Sequence, residues 1–455
     1  MGLSALKIIP ASALVIGLLL RLAYIQMADI WIDEAATLHH VLHWDLERMA
    51  LYNVNSGYYL LLQVLSDRKI SILPWIAHAL SLLALPLGWW MMGRQLEEEG
   101  RKPFWPQIFL VVWPPLFVFD CIMRPYALGV GLLFTAWHLM NTSRLSAPTR
   151  LVMLGLVTVL GVYTLYLNAI FYFVLALTSL RANRRSNMVL LAIIPFLCWP
   201  ATWYVLEQNI LHHPLIASTG EPDSWWRAFH EPWLFFRHPW PFGHLLALLL
   251  AVFGWMGMWA TSRLWGYVLS ISLMAGLLWV TNTSSFDRLY LAALVFVIPS
   301  LEPGSRKVLG KVGPPILLAI LLLSMPWVLQ RSVKINGAKA VARILENEWK
   351  DGDVVAVHSG FQSLPLYWLS GDTMRNSIIT PFHPITTPEF YGLPRESTMP
   401  DEESWVRRAL QARRVWIWGG TTALLGFTVY WPVEGQWEVE SGGNGARVLE
   451  LRRKP

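Results

Sequence analysis

The chain has 455 residues, of which 55% are hydrophobic and only 15% charged, with a formal net charge of +6. Soluble domains carry about 25% charged and about 45–50% apolar residues, so this composition excludes an ordinary soluble protein and reads as an integral membrane protein. The basic excess does not point to nucleic acid: from Ser332 onward Lys+Arg and Asp+Glu balance at 14 each, and the excess lies wholly in residues 1–331, where topology accounts for it.

Leu6 to Ile25 is the first apolar run. It has one early lysine, Lys7, and no small-residue cleavage site behind it, so it reads as an uncleaved first span rather than a removed signal peptide. At 1.5 Å per residue, runs of about 15–25 residues can cross a bilayer. Spans are expected near 6–26, 71–93, 104–120, 125–140, 151–163, 167–180, 188–206, 243–260, 264–281, 289–302 and 314–331, about eleven in all. Many of the 26 tryptophans fall in bundles such as "GWW" and "DSWWRAF", as expected of aromatic belts at membrane interfaces.

Residues 27–70 form a long first loop, and 207–242 form a second. Within the first, "DEAATLHHVLHWDLERM" has the spacing of an amphipathic helix lying at the interface. "SGYYLLLQVLS" is apolar but, at about 11 residues, too short to cross, so it reads as a second interfacial helix. The positive-inside rule orients the chain. With the N-terminus inside, Arg94, Arg101, Lys102, Arg144, Arg150 and the loops "RANRRSN" and "EPGSRKVLGK" are cytoplasmic. The outer loops hold most of the acidic residues of the membrane portion. After an odd number of spans, 332–455 emerge on the outer side.

That tail is a different kind of chain. "NGAKAVARILENEWKDGD" reads as an amphipathic helix and "VVAVH" as a buried strand. "DEESWVRRALQ" and "RRVWIWGG" repeat the helix-then-strand order, and "QWEVE" and "ARVLELRR" alternate like strands. The expectation is a small α/β domain with a core of its own, 332–455, following a membrane domain, 1–331. The tail has no GxGxxG, GxxxxGK[ST] or GxSxG, and its "SGGNG" looks like a hairpin turn. Cys121 and Cys198 sit in apolar segments, with no metal-type spacing, and read as small buried hydrophobes.

The chemistry concentrates where the first span ends, in "DIWIDEAATLHH". A bilayer penalises charge, yet Asp33 and Glu34 stand side by side at its surface. Asp33 as a mere cap for the helix that follows is the plain alternative. Two arginines share that outer level: Arg124 in "FDCIMRPYALGVG" and Arg288 in "NTSSFDRLYLAALVF". Pro125 suits a first helical turn and restricts Arg124 to extended geometry, which fixes Arg124 at a break between spans. Snorkelling toward water is the alternative for each arginine. Two carboxylates and two arginines at one level point to chemistry on a lipid-anchored substrate with an anionic head group.

The ordered set "WIDEAATL", "SGYYLLLQVL", "MRPYALGVG", "GVYTLYLNAIF" and "FDRLYLAAL" resembles the GT-C glycosyltransferases. It resembles in particular the bacterial relatives of protein O-mannosyltransferases and of the lipid A aminoarabinose transferase (glycosyltransferase family 39-like). The likeness covers roughly 1–331, and the tail resembles the outer domains such enzymes often carry. These relatives usually have His-Pro-Pro where this chain has Asn55-Ser56-Gly57, and often a His between the paired tyrosines, where this chain has Leu165. The resemblance implies a polytopic GT-C membrane fold with a small extracytoplasmic α/β domain, in a bacterial inner or cell membrane. It implies transfer of a hexosyl or pentosyl group from a polyprenyl-phosphate sugar to a protein, lipid or glycan acceptor on the outer face, with inversion.

A lipid phosphate is already a stable leaving group, so the reaction needs a base for the acceptor hydroxyl and positive charge on the departing phosphate. The resemblance makes Asp33 the base and Glu34 a supporting carboxylate. Arg124 and Arg288 would hold the phosphate, since guanidinium matches phosphate oxygens in pairs. Arg48, Arg68 and Lys69 are the reserve candidates. Tyr58, Tyr59, Tyr126, Tyr163 and Tyr166 would line the groove. No cofactor and no metal site are expected, although the family leaves a divalent cation open; His39, His40 and His43 read as surface residues of an interfacial helix. Two rivals stand beside this reading. One is a transporter or flippase of lipid-linked sugars, against which count the absence of repeated halves and the charges gathered at the outer edge. The other is a catalytically silent GT-C-like scaffold, suggested by the missing His-Pro-Pro.

Overall fold

The computed structural model describes residues 5–28, 30, 32–45, 56–206, 243–280, 287–333, 338–357, 360–381, 398–399, 402–412, 414–418, 437–441 and 448–453. These divide into two compact units: 1–26 with 44–332, and 27–43 with 333–455.

The first unit is helical. Its elements begin with α1 (Ala5–Met27), and after α2 (Ile32–His43), which belongs to the second unit, continue with α3 (Ser56–Ser66), α4 (Leu73–Glu98), α5 (Phe104–Val112), α6 (Pro114–Asp120) and α7 (Tyr126–Asn141). There follow α8 (Ala147–Thr164), α9 (Asn168–Thr178), α10 (Arg184–Leu206), α11 (Gly243–Ala260) and α12 (Leu264–Val280). A 3-10 helix, Asp287–Ala293, leads into α13 (Leu294–Leu309), and α14 (Gly313–Val333) ends the unit.

By length and composition, four stretches among the described residues could cross a membrane: Ile8–Met27, Leu73–Glu98, Ala147–Thr164 and Tyr290–Pro326. A fifth arises if Ala247–Ala260 and Leu264–Leu277, bent by 119°, are one broken span. Some other apolar runs are realised as shorter pieces. The run 104–120 breaks after Val112, where Pro114 and Pro115 open a new helix and Trp113 turns extended at ψ 111°. Proline lacks the N–H that would continue the ladder, so it restarts a helix rather than extending one. The outward faces are apolar, as lipid contact requires: Val64, Trp75, Trp90, Phe196, Trp259 and Trp265 are all exposed.

Small residues set the helix crossings. An ideal Cβ on Gly131 of α7 would lie 2.8 Å from the Ala84 carbonyl oxygen of α4. Where apolar burial between helices gives no driving force in lipid, such backbone approach lets dispersion and polar contacts accumulate. At one end of the bundle Glu99 accepts from Arg263 at 2.6 and 2.8 Å, and Arg101 donates to the Pro299 carbonyl at 2.5 Å.

The second unit holds α2 together with an α/β layer structure. In chain order its remaining elements are α15 (Ala338–Glu348), β1 (Val354–Val357), α16 (Gly360–Leu369), α17 (Asp372–Arg375), β2 (Ile378–Pro381) and β3 (Thr398–Met399). Then come α18 (Glu402–Ala409), β4 (Arg414–Trp418), β5 (Trp437–Ser441) and β6 (Val448–Arg453). The sheet order is β3-β2-β1-β4-β6-β5; the first four strands are parallel, and β6 runs antiparallel to both of its neighbours, β4 and β5.

Period-two alternation explains the layers. Val355, Val357, Trp416 and Trp418 point to one face and bury Val341 and Leu345 of α15 and Leu366 of α16. Ala356, Val415 and Ile417 point to the other and bury Trp405, Val406 and Ala409 of α18. Both faces covered by helices is what a parallel sheet demands. Asp353 fastens the entry to β1: its Oδ2 accepts from Arg414 Nε at 2.9 Å, Trp416 Nε1 at 3.2 Å and the Lys350 backbone N–H at 2.8 Å. The chain turns into β1 through Gly352, whose φ of +88° favours glycine.

Candidate active site

In the first unit, α6 stops at Asp120 and α7 starts at Tyr126, leaving Cys121–Pro125 as a tight connection. Ser81 of α4 pins that connection, its Oγ lying 2.8 Å from the Ile122 carbonyl oxygen and 3.2 Å from that of Arg124. Pro125, at φ −72°, caps α7, and its carbonyl accepts from the Gly129 N–H at 2.9 Å. The backbone carrying Arg124 is therefore fixed by a proline on one side and by a neighbouring helix on the other.

The Arg124 side chain is half-buried. One guanidinium nitrogen donates to the Tyr59 hydroxyl at 2.7 Å, the other to the Tyr126 hydroxyl at 3.3 Å, and the group lies 5.5 Å from the centre of the Tyr126 ring. Tyr58 and Tyr59 are buried on the inward stripe of α3, which repeats through Leu62, Gln63 and Ser66. Leu60, Val64 and Leu65 occupy the opposite, exposed face, so this short helix is apolar on both sides.

Gly57 explains how α3 reaches α8. A Cβ there would lie 2.6 Å from the Tyr163 Cβ and 3.1 Å from its carbonyl oxygen. Gly57, the last of the three residues Asn55-Ser56-Gly57, thus admits close backbone approach to the paired-tyrosine segment. Tyr163 and Tyr166 are both half-buried, Tyr163 near the end of α8 and Tyr166 in the turn before α9. The 3-10 helix carrying Arg288 packs against α7 and α9; the Arg288 side chain lies outside the described residues. The first unit thus brings together Arg124, Tyr58, Tyr59 and Tyr126, and joins them through Gly57 to Tyr163.

Asp33 and Glu34 fall in the first turn of α2, in the second unit. Carboxylates there complement the positive end of the helix dipole. Glu34 is buried, and the Asp33 side chain lies outside the described residues. His39 stacks toward His43 with ring centres 4.8 Å apart, and burial pushes the His43 imidazole below its ordinary pKa. Among the described residues, no group of three or more His, Cys, Asp or Glu could hold a metal ion. Of the reserve cations, Arg68 donates to the Trp44 carbonyl at 3.3 Å and Lys69 pairs with Asp67 at 3.1 Å in an exposed position; Arg48 lies outside the described residues.

The sequence reading missed Arg21 and Asp120. Arg21 Nε donates to Asp120 Oδ2 at 2.7 Å, and both side chains are fully buried. The other two guanidinium nitrogens donate to the carbonyls of Gly17 and Val111, each at 3.1 Å, and the group lies 4.4 Å from the Phe117 ring centre. The signal was present: an arginine inside an apolar run has to find a partner.

No protein-family model matches the chain, and no curated protein matches it. Solved structures do. The chain is similar to ArnT from Cupriavidus metallidurans in the apo state, with a TM-score of 0.58 and 10% identity over 97% of each chain. It is also similar to the same ArnT bound to undecaprenyl phosphate, with a TM-score of 0.51 and 11% identity over 97% of each chain. At that identity the likeness speaks to the fold, and it runs the length of both proteins. The chain adopts the fold of these ArnT structures.

Proposed function

We propose that this chain is an integral membrane glycosyltransferase that moves a hexosyl or pentosyl group from a polyprenyl-phosphate donor to an acceptor on the extracytoplasmic face. The observation that carries the reading is the Arg124 guanidinium, held by two tyrosine hydroxyls at 2.7 and 3.3 Å on a turn fixed by Pro125 and Ser81. A preorganised guanidinium is worth more at a departing phosphate than a freely moving one, because its orientation costs nothing at the moment of bond breaking. The fold likeness to an ArnT bound to undecaprenyl phosphate supports the same donor class.

In this reading the acceptor oxygen attacks the anomeric carbon and its proton passes to Asp33. The bond from that carbon to the phosphate oxygen breaks, and polyprenyl phosphate leaves with the electron pair, its charge met by Arg124 and Arg288. One displacement inverts the anomeric centre. Glu34 supports Asp33, and Tyr58, Tyr59, Tyr126, Tyr163 and Tyr166 form the groove. The topology that goes with it has about eleven crossings, a catalytic membrane domain over 1–331 and an extracytoplasmic domain over 332–455. The positive-inside distribution supports that orientation.

The test is chemical analysis of lipid-linked sugars and surface glycans in cells with and without the protein. Loss of one surface sugar, with accumulation of its polyprenyl-phosphate form, is the expected result. Unchanged pools and unchanged glycans would contradict the reading.

A further inference from the structure

The helix bearing the acidic motif packs with the chain's C-terminal portion. Residues 27–43 form one compact unit with 333–455, although some three hundred residues separate them in sequence. The contact lies at the start of α2, next to the carboxylates. Ala35 is fully buried, and Ile30, Tyr367 and Trp368 pack against it.

Tyr367 and Trp368 are themselves held. Both lie on α16, whose Leu366 is sunk in the core under the sheet beside Val355, Ile378 and Trp416. Their rings meet edge to face with centres 5.9 Å apart. Arg375 of α17 donates through Nε to the Tyr367 carbonyl at 2.9 Å, and its guanidinium carbon lies 5.5 Å from the Tyr367 ring centre and 5.8 Å from that of Trp368. Trp368 Nε1 is buried and has no hydrogen-bond partner among the described residues, so its role at Ala35 is one of shape.

We propose that Tyr367 and Trp368 are positioning residues for transfer: the α16 aromatic pair seats Ala35 and thereby fixes the first turn of α2, which carries Asp33 and Glu34. The first turn of a helix is where its own hydrogen bonds hold it least. An alanine against two rings replaces that missing restraint, because a side chain of one carbon leaves no rotamer to absorb a shift. The C-terminal unit is then a working part of the transferase, through packing that starts one residue from Glu34. This inference rests on the reading of Asp33 as the base. Its signature is a loss in the rate of the chemical step with donor binding intact, since the seat packs on the helix that carries the carboxylates.

The experiment measures donor affinity and single-turnover transfer with the full-length protein in nanodiscs. Trp368→Ala should slow transfer about tenfold to a hundredfold, the scale on which small misplacements act, with donor affinity unchanged. Trp368→Phe should restore most of the rate, because a ring still fills the seat and no hydrogen bond is lost. Ala35→Leu should slow transfer from the other side of the contact, and Ala35→Leu combined with Trp368→Ala should be faster than either alone, the added bulk filling the removed ring's space. Full transfer by both single variants would overturn the inference, as would equal losses of donor affinity and rate. If Trp368→Ala fails to fold, Ala35→Leu and Trp368→Phe decide alone. Asp33→Asn, run alongside, reports only on the base: if it transfers normally the base reading fails, whereas coupling between Ala35 and Trp368 in the rate still measures the seat.

Discussion

Arg21 and Asp120 meet 2.7 Å apart, 99 residues apart in the chain, with no part of either side chain exposed. The pair ties α1 to the end of α6, one residue before the connection that carries Arg124. Removing one partner leaves a charge or a polar group buried without compensation, which costs about 3–5 kcal/mol. Arg21→Met and Asp120→Leu should each lower the melting temperature of the detergent-solubilised protein sharply. The double replacement should recover most of the loss, since an apolar pair leaves no orphan. A double variant no more stable than the singles would show that the pair does more than satisfy itself.

Tyr59 should matter through its hydroxyl. Tyr59→Phe keeps the ring on α3 but deletes the acceptor 2.7 Å from Arg124, loosening the orientation of the guanidinium. A hydrogen bond to a charged group is worth about 1.5–3 kcal/mol, so donor affinity should fall about tenfold to a hundredfold, with the melting temperature little changed. Isothermal titration with a polyprenyl phosphate checks this. Arg124→Lys should bind more weakly than wild type and Arg124→Ala more weakly still, because lysine keeps the charge but loses the paired geometry.

Two glycines make a matched comparison. Gly57→Ala would place a carbon 2.6 Å from the Tyr163 Cβ, whereas an alanine at Gly155 would meet nothing within 4 Å. The first should destabilise by about 1–3 kcal/mol, as overpacking does, and reduce transfer by shifting α3 with its tyrosines. The second should stabilise by roughly 0.5–1 kcal/mol through helix propensity. Thermal melts of the two variants side by side separate a close-approach glycine from an incidental one.

Asp353 should hold the C-terminal sheet together. Its Oδ2 accepts from Arg414 and Trp416, both on β4. Asp353→Ala leaves Arg414 without that partner in a poorly exposed position and should cost about 3–5 kcal/mol. Proteolysis should then cut the C-terminal portion faster while polyprenyl phosphate binding persists.

What was legible in the sequence was whatever has a period or a break. The short apolar runs in "VVAV" and "RVWIW", each following a helical stretch, gave β1 and β4, and Pro125 marked the turn at Arg124. The ordered motifs pointed to the fold. What stayed hidden depends on distant partners. Arg21 lies in an apolar run and looks like part of a span until Asp120 is beside it. Gly57 looked like a missing motif until Tyr163 showed why no side chain fits. The short strands β2 and β3 carry no long alternation to detect, and they are defined by parallel pairing with β1 and with each other. That α2 belongs with residues 333–455 has no local signature at all.

The proposed transfer from a polyprenyl-phosphate sugar requires a base at Asp33 and a phosphate clamp at Arg124. The most direct measurement is single-turnover transfer in nanodiscs from a labelled polyprenyl-phosphate sugar identified by the glycan analysis, with wild type, Asp33→Asn and Arg124→Ala compared. Wild type should release polyprenyl phosphate as it labels the acceptor. Asp33→Asn should bind donor normally and transfer about 10²–10⁴ times more slowly, and Arg124→Ala should lose both affinity and rate. Near-normal transfer by Asp33→Asn, or unchanged donor affinity and rate in Arg124→Ala, would contradict the account.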